Sequence, residues 1–208
     1  MFTRFFRRRR LRNFRALFPP SQHWRVLDVG GTPAIWELID YPAEITLVNI
    51  TDGNFQRLEQ SSRRTFIPVV GDGRHLSFPD KSFDLAFANS VIEHVGGQTD
   101  AAAFAREMQR VGKTLYCQTP NKWFFVEPHL GTVFLHWFPA LLRNYYVVRF
   151  CTMWGLMNKP NRREASDVVS EIRLLTKSEL RSLFPQAEIR TERFLFVFPK
   201  SYIALQRG

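Results

Sequence analysis

Arg25-Val26-Leu27-Asp28-Val29-Gly30-Gly31-Thr32-Pro33 decides how this chain folds. It reads as a buried β-strand that ends in a carboxylate and two glycines and then opens a helix. Glycine lets the backbone turn sharply and approach a ligand closely. The helix that follows presents free N–H groups and a positive dipole end to an anion. Pro33 suits the first helical position, where its missing N–H costs nothing, and Thr32 suits the cap before it. A nucleotide-like ligand is the guest this turn fits, although strand-Gly-Gly-helix turns also serve as plain connections.

Outward from this turn, four more strand patterns follow, and each ends in polar residues or glycine. Glu44-Ile45-Thr46-Leu47-Val48-Asn49-Ile50 places Asn49 21 positions after Asp28, near where a ribose-binding side chain is needed. Thr65 to Val70 runs into Gly71-Asp72-Gly73, where a carboxylate and a compact backbone suit the edge of an adenine ring. Phe83 to Ala88 ends at Asn89-Ser90, and Thr114 to Gln118 ends at Thr119-Pro120-Asn121. In open α/β sheets, ligands bind beyond the carboxyl ends of the strands.

This series resembles the class I S-adenosylmethionine-dependent methyltransferases, in particular the small bacterial group called type 11. The resemblance runs through residues 22–121 and, more loosely, from Leu174 to Gln206. Its most specific part is Gly71-Asp72-Gly73-Arg74-His75-Leu76-Ser77-Phe78-Pro79-Asp80-Lys81-Ser82-Phe83-Asp84. It implies a Rossmann-like, doubly wound α/β sheet, mostly parallel, closed by an antiparallel C-terminal hairpin. It also implies S-adenosyl-L-methionine as cofactor, held by Asp28, Gly30, Gly31, Asn49, Ile50, Asp72, Gly73 and Asn89, with Asp72 facing adenine. Two positions depart from the family. Thr32 stands where a second glycine is usual, and Asn49 replaces an acidic residue. A carboxylate accepts from two ribose hydroxyls with charge assistance, whereas an amide offers one oxygen. A non-catalytic binding module with a weakened cofactor site is therefore the alternative to an enzyme. A nicotinamide-dependent oxidoreductase is a third reading, disfavoured by the missing Gly-x-Gly-x-x-Gly run.

At 208 residues and 45% hydrophobic, the composition is that of one ordinary globular domain. The expected division is a basic, Phe-rich segment over 1–21 and a methyltransferase domain over 22–208. Within the latter, 122–160 forms an aromatic-rich substrate cap. Cys117 and Cys151 lie in apolar segments and are expected in the core, in a reducing cytoplasm. The net charge of +10 is concentrated at one end, since residues 1–24 hold seven arginines and no acid. Residues 1–18 are expected to lie on an anionic membrane surface at its inner face, or else to pack on the domain with solvated arginines. Nucleic acid is disfavoured because no base-reading motif accompanies the arginines.

From Trp123 to Trp154 the chain carries ten of its thirty aromatics, among them Phe138. Such a segment either packs on the domain or walls a pocket for a hydrophobic, lipid-linked or other small-molecule acceptor. Its longest uncharged run is too short to span a bilayer. Tyr145 to Phe150 is expected to be helical. Glu188–Val197 and Lys200–Gln206 read as two strands joined at Phe198-Pro199-Lys200, and Thr176 with Glu179 reads as a capping box opening a helix. His94 and His129 are the candidate general bases, and both are equally consistent with structural hydrogen bonding. The ubiquinone-pathway O-methyltransferases are similar at Glu93-His94 but carry a further acidic residue at the position of Ser90. With that ligand missing, no metal is expected. The acceptor, the atom methylated and the oligomeric state lie beyond what the residues specify.

Overall fold

The computed structural model of the chain describes residues 2–19, 23–39, 41, 43–55, 66–127, 129–137 and 145–207, with side chains from residue 8 onward except at 54, 127 and 136. Phe138 and the centre of the aromatic run fall outside the described residues. Seven strands form one sheet in the order β3-β2-β1-β4-β5-β9-β8. They are β1 (Arg25–Val29), β2 (Glu44–Asn49), β3 (Phe66–Val70), β4 (Phe83–Asn89), β5 (Gly112–Pro120), β8 (Glu188–Phe194) and β9 (Phe198–Gln206). β1 pairs in parallel with β2 and β4, and β2 with β3, while β8 and β9 are antiparallel. This is the doubly wound sheet with an antiparallel C-terminal pair. The short strands β6 (Val126–Glu127) and β7 (Thr132–Val133) form a separate ribbon.

By their contacts the residues divide into two units, with β5 contributing to both. The first comprises Met1–Asn89, Ala103–Tyr116 and Gln206–Gly208. Its strands β1, β2 and β4 are largely buried, as in a parallel sheet covered on both faces, whereas the edge strand β3 leaves Ile67 and Val70 exposed. Val26, Leu27, Leu47, Leu85, Ala86 and Phe87 are all buried. The helix α1 (Phe2–Leu17), inside the segment 1–21, turns Leu11, Phe14 and the following Phe18 into this core and leaves Arg8, Arg9 and Arg12 exposed. The Phe14 ring lies 5.0–6.0 Å from the rings of Phe18, Trp36, Tyr41, Phe87 and Tyr116. Edge-to-face aromatic contacts of this kind add to area burial.

The second unit comprises Ser90–Ala102 and Cys117–Leu205. Helices α4 (Tyr145–Cys151), α5 (Met153–Asn158) and α6 (Arg162–Glu171) surround a small core of Leu130, Leu135, Val148 and Ala165. The helix expected at Tyr145–Phe150 is α4. Gly155 is needed between α4 and α5, because a Cβ there would sit 1.9 Å from the Val148 carbonyl oxygen. Asn161 and Glu164 form a capping box at α6, and Thr176 with Glu179 forms the expected one at α7 (Lys177–Leu183).

Two expectations are corrected. The C-terminal hairpin turns at Leu195-Phe196-Val197, earlier than Phe198-Pro199-Lys200, and Leu195 and Phe196 adopt positive φ of 47° and 63°. Phe194 and Phe198 pair across the strands there, and both rings lie near Phe125, so cross-strand aromatic packing sets the register against local turn preference. Cys117 is buried as expected, but Cys151 is exposed at the end of α4.

Candidate functional site

The turn after β1 is held by side chains on three sides. Gly30 has φ of 74°, and its N–H donates to the Val48 carbonyl at 2.7 Å. Gly31 closes over Asp28, where a Cβ would lie 1.7 Å from Oδ2. Any other residue here would evict the carboxylate. Pro33 opens α2 (Pro33–Ile39), and Trp36 on that helix donates its indole N–H to Asp28 Oδ2 at 2.7 Å. Asp28 is completely buried, and its Oδ1 has no hydrogen-bond partner among the described residues. Burial raises the Asp28 carboxyl to about 7, with the Trp36 hydrogen bond working in the opposite direction.

Asn49 is also buried, and its amide Nδ2 donates to the Gly31 carbonyl at 2.9 Å. This accounts for the amide at that position: a carboxylate would face the carbonyl with no proton to give. Ile50, one residue on, is exposed. The Gly71 N–H donates to the Asn49 carbonyl, tying the third turn to the second. Asp72 is partly exposed, and its carboxylate accepts from Arg74 Nε and Nη2 at 2.6–3.0 Å. Arg74 holds the Asp72 carboxyl below the usual carboxylate range. Gly73 is required by packing, since a Cβ would meet Val29 at 2.7 Å and the Phe104 ring at 2.8 Å. Asn89, at the end of β4, accepts on Oδ1 from Arg10 Nη1 at 2.9 Å.

The first unit therefore brings Asp28, Gly30, Gly31, Asn49, Asp72, Gly73 and Asn89 to the carboxyl ends of β1–β4. Three residues beside them escaped sequence reasoning. Trp36 had only its place in the helix after the turn to mark it. Arg10 was hidden among six other tail arginines, and Arg74 was quoted only within the run from Gly71 to Asp84, with no role of its own.

In the second unit, His94 and His129 come together. Their Nε2 atoms are 3.1 Å apart, one ring nitrogen donating to the other, and the rings meet edge to face. Glu93 precedes His94 in a 3-10 turn (Ile92–His94) and is fully buried. Its Oε2 accepts from Thr119 Oγ1 at 2.9 Å, and its Oε1 lies 3.8 Å from His129 Nε2. Ser90 donates its hydroxyl to Gln118 Oε1 at 3.1 Å.

A mostly parallel sheet in this strand order, with a glycine turn after β1 and an acidic turn after β3, is the Rossmann-like fold of the class I S-adenosylmethionine-dependent methyltransferases. Residues 27–114 match the family described as a methyltransferase domain, of type 11. A SAM-dependent methyltransferase from Methanosarcina mazei is similar in structure at 17% identity and a TM-score of 0.56, over 90% of this chain and 93% of its own. Another from Aquifex aeolicus is 13% identical with a TM-score of 0.54, over 93% and 86%. A Rhodobacter sphaeroides chain described as a Zn-dependent alcohol dehydrogenase is 15% identical with a TM-score of 0.64, over 96% and 89%. At such identities these likenesses speak to fold alone. No curated protein sequence matches the chain.

Proposed function

We propose that the protein is a methyltransferase that binds S-adenosylmethionine at the turns around Asp28–Gly31, Asn49–Ile50, Asp72–Gly73 and Asn89, and methylates a hydrophobic or lipid-linked small molecule. The observation that carries the cofactor reading is the buried Asp28 carboxylate, whose Oδ1 lacks a hydrogen-bond partner among the described residues, beneath a loop that only glycine can form. An N–H donor with positive charge, such as the cofactor's methionyl ammonium, would satisfy that oxygen and favour its ionised form. Asp72, already ionised, is an acceptor for an exocyclic amine at the adenine edge. Asn89 and the Gly31 loop would line the space between.

When bound, the cofactor supplies a methyl group already activated by its sulfonium. The chain's own task is to hold the acceptor in line and keep water away, and such positioning supplies much of the rate. A base is needed only for an acceptor that must lose a proton. His94 and His129 are the candidates for that role, since the pair can pass a proton between facing ring nitrogens. The acceptor class is supported by the rings the second unit leaves exposed, among them Trp123, Phe134, Trp137, Tyr146 and Phe150. Apolar surface of this extent is a common mark of ligand or membrane contact.

The non-catalytic alternative is favoured by one pair of contacts: Arg74 occupies the Asp72 carboxylate, and Asn49 spends its amide on Gly31. Calorimetry separates the two. Wild-type protein is expected to bind S-adenosylmethionine at submillimolar concentration, and Asp72→Ala to weaken it by at least about tenfold, the loss of one charge-assisted hydrogen bond. No binding by the wild type would support the module, and unchanged affinity in Asp72→Ala would remove Asp72 from the site.

A further inference from the structure

We infer that Glu93, His94 and His129 form a binding site for a divalent first-row transition metal ion of the imidazole-preferring kind, such as zinc. The three side chains offer Nε2 of each histidine and a carboxylate oxygen, and these atoms all lie within 4.8 Å of one another. The two ring nitrogens are 3.1 Å apart. Around a tetrahedral zinc ion with bonds of about 2.0–2.1 Å, neighbouring ligand atoms stand about 3.3 Å apart. The pair is thus already at coordination spacing, and Glu93 Oε1 is 3.8 Å from His129 Nε2. A modest rotation of the exposed His94 ring completes the set. An entering ion would replace the hydrogen bond between the two rings.

The surroundings suit a ligand carboxylate. Glu93 is buried and oriented by the Thr119 hydroxyl on Oε2, and its backbone carbonyl accepts from the Arg173 N–H at 2.8 Å. Outer-shell contacts of this type fix ligands and raise affinity. Two imidazoles and one carboxylate select zinc and its first-row neighbours over magnesium or calcium, which take all-oxygen sets. Three protein ligands also leave a coordination position open, and His94 keeps it within reach of solvent.

Position 90 is no obstacle. Ser90 is engaged with Gln118, and the third ligand arrives from His129, which is 35 residues beyond His94 in the chain and next to it only in the fold. An ion with an open position would hold an acceptor hydroxyl and lower its pKa as a Lewis acid. That use rests on the methyl-transfer reading, whereas metal binding itself does not.

The test is titration of the full-length protein with Co2+ alone, read by visible absorption. A one-to-one complex with ligand-field bands, displaced by Zn2+, is expected. His94→Ala and His129→Ala should each weaken Co2+ binding by at least about tenfold, the lower bound seen for losing even an outer-shell partner. Circular dichroism of both variants should match the wild type, since both rings lie at or near the surface. Absence of the bands at millimolar Co2+, or variants that bind as the wild type does, would overturn the inference. Neither result depends on whether S-adenosylmethionine binds.

Discussion

Asp28 carries the clearest energetic conflict at the scale of single residues. Its carboxyl is fully buried with one side-chain donor among the described residues, Trp36, and burial pushes it to about 7 when folded against 3.8 in the unfolded chain. Between those values the folded protein keeps a proton that the unfolded chain has released. Stability of the ligand-free protein therefore falls as pH rises from about 4 to 7 and levels off above. The full penalty is roughly 4 kcal/mol at 1.36 kcal/mol per pH unit. Asp28→Asn needs no proton, so its melting temperature should exceed that of the wild type by several degrees at pH 8, with the gap closing toward pH 4. The same variant should bind S-adenosylmethionine more weakly. Equal melting temperatures at pH 8 would mean that the buried carboxyl is not strained. Destabilised groups of this kind cluster at functional sites.

At the scale of elements, α1 combines two roles along opposite faces. Leu11 and Phe14 are buried while Arg8, Arg9 and Arg12 are exposed, and Arg10 reaches Asn89 at the end of β4. Phe14 touches five aromatic rings, so Phe14→Ala should cost about 3–5 kcal/mol, read as a lowered urea midpoint. A loss below about 1 kcal/mol would mean that α1 frays away from the core in solution. For this reason deletion of residues 1–18 is a poor probe of surface binding, because it removes Phe14 and Phe18 together with the arginines. The hairpin of β8 and β9 shows a different balance. Leu195 and Phe196 adopt left-handed backbone that neither residue favours, and ring packing of Phe194 and Phe198 on Phe125 compensates.

For the whole molecule, the question is what its charge meets. No described helix is long and apolar enough to cross a membrane. The large apolar side chains Leu11 and Phe14 of α1 face inward, so contact of this part of the helix with an anionic membrane rests mainly on its arginines. Each arginine near such a surface contributes about 1 kcal/mol. Reversing three charges in Arg8→Glu, Arg9→Glu and Arg12→Glu together should reduce co-sedimentation with phosphatidylserine vesicles at least about 100-fold. The melting temperature should be unchanged, because these side chains are exposed. Undiminished vesicle binding by the triple variant would end the reading of α1 as a membrane contact.

The strands of the first unit, the glycine turn and the acidic turn after β3 were legible from residues 25–89, since continuous apolar runs ending in Gly, Asp or Asn are local patterns. The same was true of the capping box at Thr176. What the chain could not show in one dimension was which polar groups meet. Asn49 looked like a weakened ribose ligand and turned out to hold the Gly31 carbonyl. Asp72 was read as facing adenine and is paired with Arg74. His94 and His129 read as separate candidates and lie at hydrogen-bonding distance. Backbone periodicity is set by neighbours a few positions apart and so survives in sequence. Hydrogen bonds and ligand sets join segments tens of residues apart, and only packing decides which of them come within 3 Å.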